Sequence, residues 1–141
     1  MCIRDRYQGI DPIEAVRYLG PLIQHVHVKD TLIHEHNLRL KGFMDSGTPE
    51  RPDERSWTYT LAGWGHDATL WKEFVTTLRL IGYDYVLSVE MESEYIDVQE
   101  GLEKSLEFLK PIVLQKSPGK KWWDIAGMER AGGLGENRNK E

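Results

Sequence analysis

The stretch Gln24-His25-Val26-His27-Val28-Lys29-Asp30 places two imidazoles, an ammonium and a carboxylate directly behind Pro21, Leu22 and Ile23. Imidazole and carboxylate ligate divalent metals and carry protons, and a neighbouring ammonium stabilises negative charge. As a β-strand, the stretch alternates faces with a period of two. Leu22, Gln24, Val26 and Val28 then share one face, and Ile23, His25, His27 and Lys29 share the other. The first face suits a core. The second collects groups that packing does not need. A second stretch, Tyr85 to Met91, puts Leu87, Val89 and Met91 on one face and Ser88, Glu90 and Glu92 on the other. Glu90 thus follows an apolar run but points with the polar set. A purely structural reading competes, because single histidines are often satisfied surface groups and a strand-end glutamate is often only salt-bridged. The clustering in His-x-His followed by Lys-Asp favours chemistry for that stretch. His34 and His36 sit among charges and read as surface histidines.

These residues need elements that hold them. Asp11-Pro12-Ile13-Glu14 reads as a helix start, with Asp11 as cap, Pro12 at the first helical position and Glu14 at a capping-box spacing. Ile13, Val16 and Leu19 give that helix an apolar stripe, and Gly20 with Pro21 ends it. Thr31 to Gly42 is expected to be helical in part, on Leu32, Leu38 and Leu40. Met44 to Ser56 reads as a long loop and Trp57 to Leu61 as a short strand. Ala62 to Asp67 is a glycine turn that carries His66 and closes on a helix cap. The spacing of Leu70, Phe74, Leu78 and Ile81 predicts a helix from Ala68, stopped by Gly82. A last helix begins at Asp97, lined by Leu102, Leu106 and Leu109, with Pro111 at its end. This alternation predicts an α/β protein with parallel strands and right-handed crossovers, whose chemistry lies at the C-terminal strand ends.

At 141 residues the chain suits one domain, and 40% hydrophobic with 29% charged residues is ordinary for a globular protein. A net charge of -5 argues against nucleic acid as a partner. Cys2 is the single cysteine, so a disulfide framework and a cysteine zinc site are excluded. The absence of a bilayer-length apolar run and of a signal-peptide pattern predicts no membrane partner and a cytoplasmic location. Met1 to Arg6 shows no periodicity and reads as a non-native N-terminus. Residues 117–141 are expected to form a partly disordered extension, with Trp122 and Trp123 packing back and Gly127 to Glu141 mobile.

His25-Val26-His27-Val28-Lys29-Asp30, Gly63-Trp64-Gly65-His66-Asp67 and Ser88-Val89-Glu90-Met91-Glu92 together resemble the C-terminal part of the sugar phosphate isomerases/epimerases, the xylose isomerase-like TIM barrels. Gly82-Tyr83-Asp84-Tyr85 and the run from Gly101-Leu102 to Leu109-Lys110-Pro111 are similar too. The resemblance implies an incomplete (β/α)8 barrel over residues 7–116, of about three β/α units, corresponding to strands 6 to 8. A complete barrel takes roughly 200 to 250 residues. It also implies a divalent metal (Mn²⁺, Co²⁺, Mg²⁺ or Zn²⁺). His27 would match a strand-6 ligand and Glu90 a strand-8 ligand, and the two remaining carboxylate ligands have no counterpart here. Glu90 would be catalytic, with His25, Lys29, Asp30 and His66 binding substrate or supporting the ligands. Asp30 has two readings, orienting His27 or capping the next segment of chain. The implied substrate is a sugar or sugar phosphate, isomerised or epimerised by proton transfer next to a carbonyl; a homo-oligomer is left open. The alternatives are an inosose-type dehydratase, an apurinic endonuclease-like relative or a barrel piece without chemistry, and the chain alone is expected to be inactive.

Overall fold

The computed structural model describes residues 7–45, 47–116 and 119. The readings of Met1 to Arg6, of Trp122 and Trp123, and of the extension apart from residue 119 lie outside the described residues.

Helix α1 (Pro12–Leu19) starts as its sequence dictates: Asp11 Oδ1 accepts hydrogen bonds from the backbone N–H of Ile13 at 2.8 Å and Glu14 at 3.1 Å. Gly20, at φ 51°, ends it in a conformation that side-chain-bearing residues rarely adopt. A 3₁₀ turn, Gly20–Leu22, then replaces the expected beginning of the strand. Its effect on parity is a correction: Leu22 is 76% exposed and Ile23 is buried, the reverse of the alternation expected from a strand through both. Strand order begins only at β1 (Val26–Val28), where Val26 and Val28 are buried and His27 faces the other way.

The stretch Thr31 to Gly42, expected to be helical in part, opens in strand β2 (Asp30–Ile33). Thr31 and Ile33 are β-branched and suit a pleated partner better than a helix. The helix is confined to α2 (Glu35–Lys41), and Leu40, expected on its apolar stripe, is 81% exposed. Buried Asn37 holds α2 to the long loop by donating to the carbonyls of Asp53 and Arg55, both at 2.9 Å. Strand β3 (Trp57–Thr60) forms where predicted but pairs antiparallel with β2, Asp30 opposite Thr60 and Ile33 opposite Trp57. It is therefore not a third parallel strand.

Helix α3 (Ala68–Leu80) is capped by Asp67, which accepts from Thr69 N and Leu70 N. Strand β4 (Leu87–Val89) is shorter than the stretch read from Tyr85 to Met91. It pairs directly and in parallel with β1, Val26 opposite Leu87 and Val28 opposite Val89. Helix α4 (Val98–Leu109) comes next, capped by Asp97. Val16, Val26, Val28, Trp71, Phe74, Leu78 and Leu109 form one core between the parallel pair and the helices. The architecture is α/β and, among the described residues, the sheet does not close into a barrel. No helix among them is long and apolar enough to cross a membrane.

Candidate active site at the strand ends

Parallel pairing of β1 with β4 sets His27 opposite Ser88. The ladder runs one bond further, because Glu90 N donates to Val28 O at 3.0 Å. That bond carries Glu90 to the end of the pair on the polar side, and His27 Nδ1 lies 2.7 Å from Glu90 Oε1. The spacing expected from a strand between them is corrected: His27 and Glu90 stand on hydrogen-bonded neighbours. Lys29, two residues beyond His27, shares its face. Its Nζ lies 3.1 Å from Glu90 Oε2 and 2.5 Å from Glu92 Oε2. Tyr59 of β3 closes over the ammonium, its ring centre 4.7 Å from Nζ. The Lys29 side chain is 1% exposed.

The charges in this cluster support one another. Burial acts to lower the Lys29 pKa, but the carboxylates of Glu92 and Glu90 outweigh it and raise the ammonium above its ordinary value. Burial acts to raise Glu90, but contacts from His27 and Lys29 outweigh it and hold the carboxyl below its ordinary value. Glu90 is therefore an anion at neutral pH, as a proton acceptor requires. Its Oε2 is buried and, despite the nearby ammonium, lacks a well-angled hydrogen bond. His25 is exposed and meets His27 edge-on, ring centres 4.8 Å apart.

Asp30 and His66 form a second cluster. Asp30 is fully buried. Its Oδ2 accepts from the backbone N–H of Gly63 at 3.0 Å, Gly65 at 3.1 Å and His66 at 3.0 Å, and from Trp71 Nε1 at 3.4 Å. Its Oδ1 accepts from Thr31 N at 2.8 Å and lies 2.6 Å from His66 Nδ1. The carboxylate fastens the distant glycine turn Gly63–His66 to the start of β2, an arrangement that neither sequence reading of Asp30 anticipated. The turn needs its glycines for this approach, since a Cβ on Gly65 would collide with the Thr31 carbonyl and the Asp30 carboxylate.

The structure thus gathers His27, Lys29 and Glu90, pairs Asp30 with His66, and leaves His25 at the edge. His34 Nε2 sits 3.1 Å from Thr58 Oγ1 of β3, with its pKa lowered by burial and by the charges of His36 and Arg55. His36 is exposed. Two members of the site escaped the sequence reading. Glu92 was legible from its parity with Glu90, but its role as the Lys29 partner was not. Tyr59 gave no signal, because the antiparallel return of β3 that brings it over Lys29 was not expected.

A divalent metal can be judged against the donors present. His27 Nδ1 and Glu90 Oε1 approach as two ligands of one ion do, roughly 3 Å apart for bonds of about 2.0–2.2 Å. A neutral imidazole and a carboxylate also suit the expected metals, and Glu90 Oε2, buried beside the Lys29 ammonium, accepts no well-formed hydrogen bond. The pair fits as part of a ligand set. Among the described residues no three His, Cys, Asp or Glu side chains gather as a complete one.

Comparison with known proteins agrees with this arrangement of elements. Residues 3–112 match the family described as the xylose isomerase-like TIM barrel. The uncharacterized protein YfiH of Bacillus subtilis (strain 168) is 36% identical over 109 residues, which is 77% of this chain and 35% of the relative. The chain therefore spans about a third of that relative's length.

Proposed function

The chain belongs to the xylose isomerase-like TIM-barrel family, and from that premise we propose that it supplies part of the active site of a metal-dependent sugar or sugar phosphate isomerase or epimerase. The observation that carries this reading is the 2.7 Å approach of His27 Nδ1 and Glu90 Oε1 at the C-terminal ends of adjacent parallel strands. Ligands of barrel enzymes bind at that end.

A divalent ion bound through His27 and Glu90 would polarise the sugar carbonyl and its neighbouring hydroxyl. Glu90 takes a proton from the carbon next to the carbonyl. The C–H electron pair moves into the carbon framework and the carbonyl oxygen takes up the negative charge. Return of a proton to the former carbonyl carbon, with the neighbouring hydroxyl's proton passing to the former carbonyl oxygen, gives the isomer; return of a proton to the original carbon from its opposite face gives the epimer. Lys29 offsets the charge of both carboxylates.

The test is the metal content of the whole protein by elemental analysis. The wild type should carry a divalent metal, and His27→Ala should lose most of it. Unchanged metal stoichiometry in His27→Ala would return His27 to a structural role.

A further inference from the structure

Lys29 is shut off from solvent. Its side chain is 1% exposed, with Glu90 Oε2 at 3.1 Å, Glu92 Oε2 at 2.5 Å and the Tyr59 ring over it. A buried ammonium is costly unless paired, so this placement requires its two carboxylates. The converse also holds. Glu90 and Glu92 stand two residues apart at the end of one strand and meet the same cation. Without that cation their charges repel, and Glu90 has reason to turn away from His27. Glu92 is 63% exposed, so its own burial does not explain the contact. The arrangement runs from a solvent-facing carboxylate, through a buried ammonium under an aromatic ring, to the carboxylate that touches His27.

We propose that Lys29 is a positioning residue for Glu90, locked by Glu92 and Tyr59, and that it orients the Glu90 carboxylate toward His27 for metal binding. The proposal rests on the metal-site reading above and adds to it the residues that hold the site's carboxylate. Lys29 acts only through Glu90, and Glu92 acts only through Lys29. A residue two shells from a metal that orients a ligand commonly changes metal affinity by about 10- to 100-fold.

Manganese(II) titration of the whole protein tests the order of action. Lys29→Met should weaken Mn²⁺ binding by about tenfold. Glu92→Gln, at an exposed position where folding is not at risk, should weaken binding in the same direction and add little in the Lys29→Met background. Unchanged affinity in both single variants, or additive losses in the double variant, would overturn the proposal. A second measurement does not need the metal. In a double-mutant cycle of Lys29→Met and Glu90→Gln on unfolding of the whole protein, the paired variant should be destabilised by less than the sum of the two. Additivity there would also overturn the proposal. If the wild type binds no Mn²⁺ and yet the cycle is non-additive, the metal reading has failed while the Lys29–Glu90 coupling stands.

Discussion

Lys29 and Asp30 are consecutive, both buried and both charged groups, yet they organise two different regions. Lys29 turns toward the parallel pair and finds its partners in side chains, the carboxylates of Glu90 and Glu92 and the Tyr59 ring. Asp30 turns the opposite way, toward the glycine turn and α3, and finds most of its partners in backbone N–H groups, with Trp71 and His66 completing its shell. Backbone donors cannot change protonation or swing away, so the Asp30 cluster is a fastening. Ionisable side chains at the open end of a strand pair can exchange partners and protons, so the Lys29 cluster is suited to chemistry. The alternation of a strand separates the two functions by a single residue.

Substitutions should divide along the same line. The largest effect belongs to Glu90→Gln in the whole protein, which should cut turnover by at least roughly 10²-fold, about 2.7 kcal/mol of barrier. A loss of stability without loss of turnover would merge Glu90 with the Asp30 class. Next comes Asp30→Asn. Its amide turns donors toward groups that already donate, and each frustrated buried group costs about 1–3 kcal/mol. Chemical denaturation should show a loss of about 2 kcal/mol. A stability equal to the wild type would mean that the turn does not depend on this carboxylate.

A smaller effect is expected at Tyr95→Phe. The Tyr95 hydroxyl donates to Thr60 Oγ1 at 3.1 Å, tying the segment after β4 to β3. Losing one such bond should cost about 1 kcal/mol, read from the denaturant midpoint. The smallest effect concerns pH. Burial, with the charges of His36 and Arg55, lowers the pKa of His34 below its ordinary 6.5. Above pH 6.5 the imidazole is neutral whether the chain is folded or not, and His34 contributes no pH dependence. As pH falls below 6.5 the unfolded chain takes up a proton before the folded one, so stability declines until the folded pKa is passed. Comparing melting temperatures of wild type and His34→Gln from about pH 7.5 downward should show a shallower decline in the variant over that window. Parallel curves would remove His34 as a contributor.

Much of this organisation was legible in the residues. Asp11, Asp67 and Asp97 cap the helices that their spacing announced, because capping is a local rule that distant contacts seldom override. The polar parity of His27 and Glu90 was legible for the same reason, since the period of a strand is fixed. What failed was pairing. The weak leucine spacing of Thr31 to Gly42 announces a partial helix without saying where it starts, and the β-branched residues of Thr31 to Ile33 find a partner in Trp57 to Thr60. That partner lies across a long loop, and no local pattern encodes which strand it will meet or in which direction. The same non-local step moved His27 and Glu90 from separated strands to neighbouring ones and brought Tyr59 over Lys29. Leu22 failed for a local reason: Gly20 and Pro21 favour a turn, and a turn resets the parity counted from it.

The central claim is that Glu90 moves the proton next to the sugar carbonyl, and exchange with solvent measures that step without waiting for product. The whole protein, loaded with Mn²⁺, would be incubated in D₂O with a panel of ketohexoses and their phosphates, and deuterium at the carbons beside the carbonyl followed by NMR. Wild type should incorporate deuterium into at least one member of the panel, and Glu90→Gln should slow that incorporation by at least roughly 10²-fold. Near-normal exchange in Glu90→Gln would contradict the account at its central residue.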